Sequence, residues 1–408
     1  MLYYFIEKGL EMRRLASPFV VVIVAFAVFI AIDAYSQLFP STSKPFLSLN
    51  DTVGDVSAFP NGSVTVVEVP KYASPTGFLA VYSADGQRLW TLKFGTPDFL
   101  VVYESVEGVS AAPNGRYIAV LTDRNLRLYN PSRKLLWKVP LNQSEDSYSR
   151  VLFTPDSKHV VAYTWGESLR VWVFSTNGSP VRYLEMNSSP LGVIVRTTGS
   201  ALYMAVEDEH GTTRIMEVPF EGNGWTVVVP NASSWSAPRG LAVFKTSNGT
   251  YVAYADCEKG IYLIRNGSIV WHRPSSGCPW DVTIWEEKIY VSETANSFVK
   301  VYNLNGTLLR SLHFPGFVSG PGTFFRCGQS LALTVIEYSD SSWETHIYLL
   351  TADEIHGIFN AEGRPPTDYM SHVRGACWGD NLILAINDFK KWRGYVYEVP
   401  VGPKAQSP

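Results

Sequence analysis

From residue 46 onward the chain is built of short runs in which apolar and polar positions alternate. Gly, Pro, Asn and Asp separate the runs, and no sustained helical period appears. Alternation over four to eight residues marks half-buried strands. The strands fall into self-similar units. The clearest half-unit is a strand, a two-to-four-residue turn and a second strand often ending near Trp: VYSADGQRLWTL (81–92), LYNPSRKLLWKV (128–139), VFSTNGSPVRYL (173–184), LIRNGSIVWHR (263–273) and VYNLNGTLLRSL (301–312). The other half-unit shows in AAPNGRYIAVLTD (111–123) and FTPDSKHVVAYT (153–164).

A repeat of about 44 residues suits the blades of a β-propeller. With four strands (a to d) per unit, blades start near residues 55, 107, 149, 190, 236, 279, 320 and 371. The last unit has only three strands, VRGACW, NLILAI and GYVYEVPV, and FLSLN (46–50) is left to supply the fourth and close the ring. Closure removes a free edge. The expected fold is therefore all-β, an eight-bladed propeller over residues 46–400, with seven blades as the alternative because units 1 and 7 are irregular.

The two quoted first halves resemble the Pro-Asp-Gly turn of WD40 repeats. PWDVTIWEEKIYVSETANSFVKVYNLNGTLLRSL (279–312) resembles an NHL repeat along its length. The turns ending at Trp90 and Trp271, with Trp137 placed similarly, resemble the tryptophan-docking motif of quinoprotein-like propellers. These resemblances cover most of residues 46–400 and agree on the propeller while differing on the subfamily.

Ahead of the repeats, residues 15–32 form an uncharged apolar run. At about 1.5 Å per helical residue it is just long enough for a bilayer core of about 30 Å. Arg13 and Arg14 precede it and Asp33 follows, so the positive-inside rule puts residues 1–14 in the cytoplasm and the repeats outside the cell. The alternative is a cleaved signal peptide, against which stand the length of the run and the poor cleavage site at Ile32-Asp33-Ala34. The expected order is cytoplasmic segment 1–14, signal-anchor helix 15–32, linker 33–45, propeller 46–400 and tail 401–408.

Successive strands of a blade reverse direction, so a–b and c–d turns share one face of the disc, and b–c turns share the other with the d-to-a crossings. If FLSLN is an outer strand, the anchor joins the first face, which then looks toward the membrane. Cys257 and Cys278 fall on the far face, Cys327 and Cys377 on the near one. No Cys-x-x-Cys is present, and an exported chain favours disulfides; the expected pairs are Cys257–Cys278 and Cys327–Cys377.

Nine N-x-[ST] sequons mark Asn50, Asn61, Asn142, Asn177, Asn187, Asn231, Asn248, Asn266 and Asn305 as glycosylation candidates. Five of them are Asn-Gly-[Ser/Thr], which hairpin chemistry explains equally well, since Asn-Gly adopts the φ > 0 conformations of a tight turn. Expected partner contacts are tryptophans in far-face loops: Trp343 and Trp392 in the b–c turns of blades 7 and 8, Trp235 and Trp280 in crossings, and Trp165 in a b–c turn. The alternative is that each folds back over its blade.

With 34 basic and 37 acidic residues and no basic stripe, nucleic acid is excluded as a partner. His159, His210, His272, His313, His346, His356 and His372 show no metal-ligand spacing, and no nucleophile elbow or nucleotide loop occurs. Asp208-Glu209-His210 falls in a b–c turn where charge is expected anyway. No catalytic residue, cofactor or metal is expected. The expected function is an anchored cell-surface scaffold that binds a protein or glycan; the alternative is a quinoprotein-like dehydrogenase or another enzyme with an axial site.

Overall fold

The computed structural model describes residues 44–402, apart from 71–76, 95–103, 142–147, 167, 188–192, 230–237, 276, 294–296, 314–321, 340–341, 352–354 and 367–372. Among the described residues, thirty-two strands form eight four-stranded antiparallel sheets. Blades 1 to 8 span residues 52–93, 106–140, 148–187, 193–229, 238–273, 279–313, 322–362 and 375–400. Strand a of a blade contacts strand a of the next around the ring, with Thr197 donating to Phe153 O between blades 3 and 4, so these strands line the axis. Strands b are mostly buried and strands c about half buried or more, and the core is a set of apolar layers between facing sheets. The expected membrane helix (15–32) lies outside the described residues. Among the described residues no helix is long and apolar enough to cross a membrane.

Ring closure is as expected. Leu47–Leu49 pairs antiparallel with strand c of blade 8 (Arg393–Pro400), Leu47 opposite Val396 and Leu49 opposite Gly394. The chain comes in beside the c–d turn of blade 1, because a Cβ on Gly86 would lie 3.3 Å from the carbonyl oxygen of Phe46. The Asn387 side-chain amide adds a buried reciprocal pair, accepting from Val53 N and donating to Val53 O, both at 2.8 Å. Blade 8 is thus locked to blade 1 at its outer strand and near its inner one.

Neighbouring blades share no backbone ladder, so inner-strand amides need side-chain acceptors. Asp55 supplies one: its carboxylate accepts from Val56 N at 3.0 Å and from Val109 N of blade 2 at 3.1 Å. Asp281 repeats the device, accepting from Val282 N at 2.8 Å and from Phe324 N of blade 7 at 2.9 Å. Ser57 accepts from Ala111 N, and Thr323 from Val373 N.

The other face is stapled by tryptophans. Trp90, Trp137 and Trp271 each donate the indole N–H to a carbonyl in the next blade's c–d turn, those of Pro131, Thr176 and Leu304 (2.7, 3.0 and 3.1 Å). Trp378, at the end of strand a of blade 8, donates likewise to Pro60 O in the a–b turn of blade 1, at 2.7 Å. The rings press on turn glycines: a Cβ at Gly178 would meet Trp137 at 3.1 Å, one at Gly267 would meet Trp225 at 2.8 Å, and one at Gly306 would meet Trp271 at 2.9 Å.

The turns refine the Asn-Gly expectation. Only Asn266-Gly267 has φ > 0 at both residues (48° and 80°), as a two-residue type I′ hairpin requires. At Asn305-Gly306 only Gly306 does (φ 80°), and the register of strands c and d shifts at Val301/Tyr302. That is a type I turn followed by a bulge. Its side-chain bonds come from Asn303, whose Oδ1 accepts from Asn305 N (3.0 Å) and Thr307 N (2.9 Å). Gly306→Ala should therefore cost about 1–3 kcal/mol, Asn303→Ala about 1 kcal/mol, and Asn305→Ala less than about 0.5 kcal/mol. Urea unfolding of the three variants checks that order; equal losses at 305 and 306 would refute it.

Candidate functional site

The b–c/d-to-a face carries both aromatic side chains and buried charge. In blades 7 and 8 it forms one contiguous patch. Strands b and c of blade 7 (Ser330–Ser339 and Ser342–Leu350) make the longest hairpin of the ring. Trp343, half-buried near its tip, lies under the guanidinium of Arg364, 4.7 Å from ring centre to Cζ. Arg364 is fixed by two backbone bonds to Asn387 (3.0 and 2.8 Å), which tie the segment after blade 7 to strand b of blade 8. The next b–c turn brings Phe389, 49% exposed, against Trp392 at 6.2 Å in an edge-on contact. Lys390 reaches back to Glu362 at 3.3 Å. Trp392 has φ 54°, and its indole N–H is buried without a hydrogen-bond partner.

A second aromatic–cation pair lies nearer the axis, where Arg239 of blade 5 stacks on Trp280 of blade 6 at 4.3 Å. Sequence reasoning missed both arginines, since nothing local marks a residue that meets its tryptophan only through the fold. Trp165 corrects an expectation. It is 3% exposed, stacked on Tyr163 at 5.5 Å within the core between blades 3 and 4, and it offers no surface. Trp235 lies outside the described residues.

Beneath this face, strand b ends on a buried carboxylate in three consecutive blades: Glu207, Asp256 and Glu293. Lys259 joins the first two, donating to Glu207 (3.2 Å), Gly211 O (2.8 Å) and Thr213 Oγ1 (2.7 Å), with Asp256 at 3.9 Å. Asp256 also accepts from Tyr254 at 2.8 Å. Burial, aided by this carboxylate, holds the Tyr254 phenol far above its ordinary pKa. Glu293 binds Lys300 at 2.8 Å. The Cys257–Cys278 disulfide flanks the Lys259 corner, and Cys327–Cys377 joins the inner strands of blades 7 and 8 on the other face. Asp208-Glu209-His210 is structural: Asp208 Oδ1 accepts from His210 N and Thr212 N, and its carboxylate pairs with Arg214. Among the described residues no His, Cys, Asp and Glu cluster is arranged to hold a metal.

All seven described sequon asparagines (50, 61, 177, 187, 248, 266 and 305) are exposed. Asn142 and Asn231 lie outside the described residues. Asn61, Asn177, Asn248, Asn266 and Asn305 occupy a–b or c–d turns, Asn50 leads into a crossing, and Asn187 ends strand d of blade 3.

Fold and face together define a class: the protein is an eight-bladed β-propeller like those of WD40 domains. It is similar in fold to the WD40 domain of SCAP from fission yeast (TM-score 0.56, 11% identity, 88% of this chain and 98% of that one). It is also similar to the Dos1 propeller (TM-score 0.57, 10% identity, 87% and 95%) and to the Cps50 (Swd1) propeller domain of Myceliophteria thermophila (TM-score 0.50, 11% identity, 75% and 99%). No known family profile and no curated protein matches the sequence.

Two buried groups give measurable expectations. Lys259→Met should cost about 3–5 kcal/mol, because it removes the cation shared by two buried carboxylates. Adding Glu207→Gln should recover part of that loss in chemical denaturation; no loss in the single variant would show the corner to be solvated. His346, in the blade 7 hairpin, is 2% exposed, and burial pushes its pKa down from 6.5 to about 4. Glu337 and Glu344, at 3.5 and 3.6 Å, pull the other way. Glu344 is screened by its 41% exposure, however, and burial drives Glu337 toward its neutral form. The unfolded chain therefore takes up the proton first. The stabilisation is complete above pH 6.5 and is lost as pH falls toward 4, on the order of 2–3 kcal/mol. His346→Phe should flatten the fall in unfolding free energy over that range, and an unchanged slope would contradict the assignment.

Proposed function

We propose that this chain is a membrane-anchored cell-surface propeller that binds a partner protein through the blade 7/8 patch. The observation that carries the reading is the joining of Trp343, Arg364, Phe389 and Trp392 across two adjacent blades. Aromatic and arginine side chains supply most hot spots of protein interfaces. Binding proteins is also the usual work of WD40-like propellers, and the fold likeness supports the analogy without naming a partner.

The uncharged run 15–32 supplies the anchor, and the two arginines before it orient the propeller to the outside. The chain comes in beside a c–d turn, so the anchored face is that of the tryptophan staples, and the patch faces away from the bilayer. Exposed sequons suit an exported chain, with Asn50 free of the Asn-Gly ambiguity. The tryptophans that resemble a quinoprotein motif are occupied in holding neighbouring blades together, so they lend no residue to an enzyme reading.

The test is affinity isolation of the full chain from its own membranes in detergent, with mass spectrometry of captured proteins and of glycopeptides. A Trp343→Ala/Trp392→Ala variant should lose the specific partner by tenfold or more, while Trp172→Ala, on the side of blade 3, should retain it. Equal capture by both variants, or recovery of oligosaccharide in place of protein, would refute the protein-binding reading.

A further inference from the structure

The axial channel holds a feature that partner binding does not use. Toward the a–b end, between the inner strands of blades 4 to 7, lies a cavity of about 190 Å³. Its wall mixes apolar side chains, among them Val243, Ile284 and Phe324, with polar and charged ones. Two arginines enter it, Arg196 from blade 4 (strand Val193–Thr197) and Arg326 from blade 7 (strand Gly322–Cys327). Arg196 donates to its neighbour Val195 O at 3.2 Å, and Arg326 to Ile284 O at 3.3 Å. Neither has a carboxylate partner among the described residues, and each guanidinium carries five N–H donors. The acid in the wall, Asp281, has both oxygens committed to the backbone amides of Val282 and Phe324. Thr197, whose hydroxyl donates to Phe153 O of blade 3 at 3.4 Å, and Thr283 complete the lining.

We infer that this cavity binds a small oxyanion, a phosphate or carboxylate group, held between Arg196 and Arg326. Two forked guanidinium donors lining one cavity, from blades 4 and 7, match the planar and tetrahedral oxygen sets of such anions. Two cations in one concave lining raise the local concentration of anions in the channel. Val243 and Ile284, in the intervening blades, leave those positions without competing charge. The site is independent of the tryptophan patch: it opens toward the opposite face and shares no residue with it.

The full chain, in a zwitterionic buffer with ionic strength held by sodium chloride, would be titrated with inorganic phosphate and, separately, with succinate. The expected result is saturable one-to-one binding in at least one arm, with a matching rise in the thermal midpoint; the tighter arm tells phosphate from carboxylate. Arg196→Gln and Arg326→Gln should each weaken binding by tenfold or more. Arg196→Lys and Arg326→Lys, which keep the charge and guard against a folding defect, should weaken it less. Trp343→Ala/Trp392→Ala should bind the anion as the parent does, which separates this result from the fate of the partner-binding proposal. No saturable binding in either arm, or unchanged affinity in both glutamine variants, would overturn the inference.

Discussion

A propeller has no hydrogen-bond ladder between one blade and the next, and everything else in this molecule follows from how that gap is bridged. Within a blade the backbone satisfies itself. Between blades, the inner amides would be orphaned without side chains that reach across, and an unpaired buried amide costs about 1–3 kcal/mol. Asp55 and Asp281 meet this need near the axis with carboxylates, Ser57 and Thr323 with hydroxyls. At the periphery the need is steric as well, and Trp90, Trp137 and Trp271 serve it by pressing an indole on the next blade's turn while bonding to its backbone, as Trp378 does from the inner strand of blade 8. Polar bridging inside and aromatic stapling outside keep eight sheets in one ring.

This division explains what could be read from the sequence. Strand count, blade phase, the closing strand Leu47–Leu49 and both disulfide pairs follow from local patterning and from the reversal of successive strands. The turns were half legible. Asn-Gly marks a reversal, yet whether Asn305 or Asn303 does the hydrogen bonding depends on a bulge that alternation does not encode. The interblade groups were not legible. An aspartate in an inner strand reads as a polar face residue, and only the adjacent blade makes it an acceptor. The candidate site failed in the same way: Trp343 and Trp392 could be picked from loop position, but Arg239 and Arg364 acquire meaning only by stacking on rings far away in sequence. Trp165 shows the converse, since the facing blade 4 buries it.

The two faces are built by different chemistry. The a–b/c–d side spends its tryptophans on neighbouring blades and shows exposed asparagines in tight, well-bonded turns. The opposite side buries acids at the ends of strands b, neutralises them with Lys259 and Lys300, and leaves aromatic rings and guanidinium groups at the surface. Buried, paired charge under a loop surface holds the loops at fixed positions, a sound foundation for recognition.

The closing strand has one more consequence. Strand c of blade 8 ends at Pro400, on the face where Leu47 begins the strand paired with it. The missing link between them is an ordinary c–d hairpin, the connection that the other seven blades make with a few residues. A short turn joining the two would produce a covalently circular propeller, and cutting any other c–d turn would then create a circular permutant with an equivalent seam. The place of the break along the chain is thus a matter of genetics rather than of architecture, and the same ring could be opened so that a fused segment emerges beside any chosen blade.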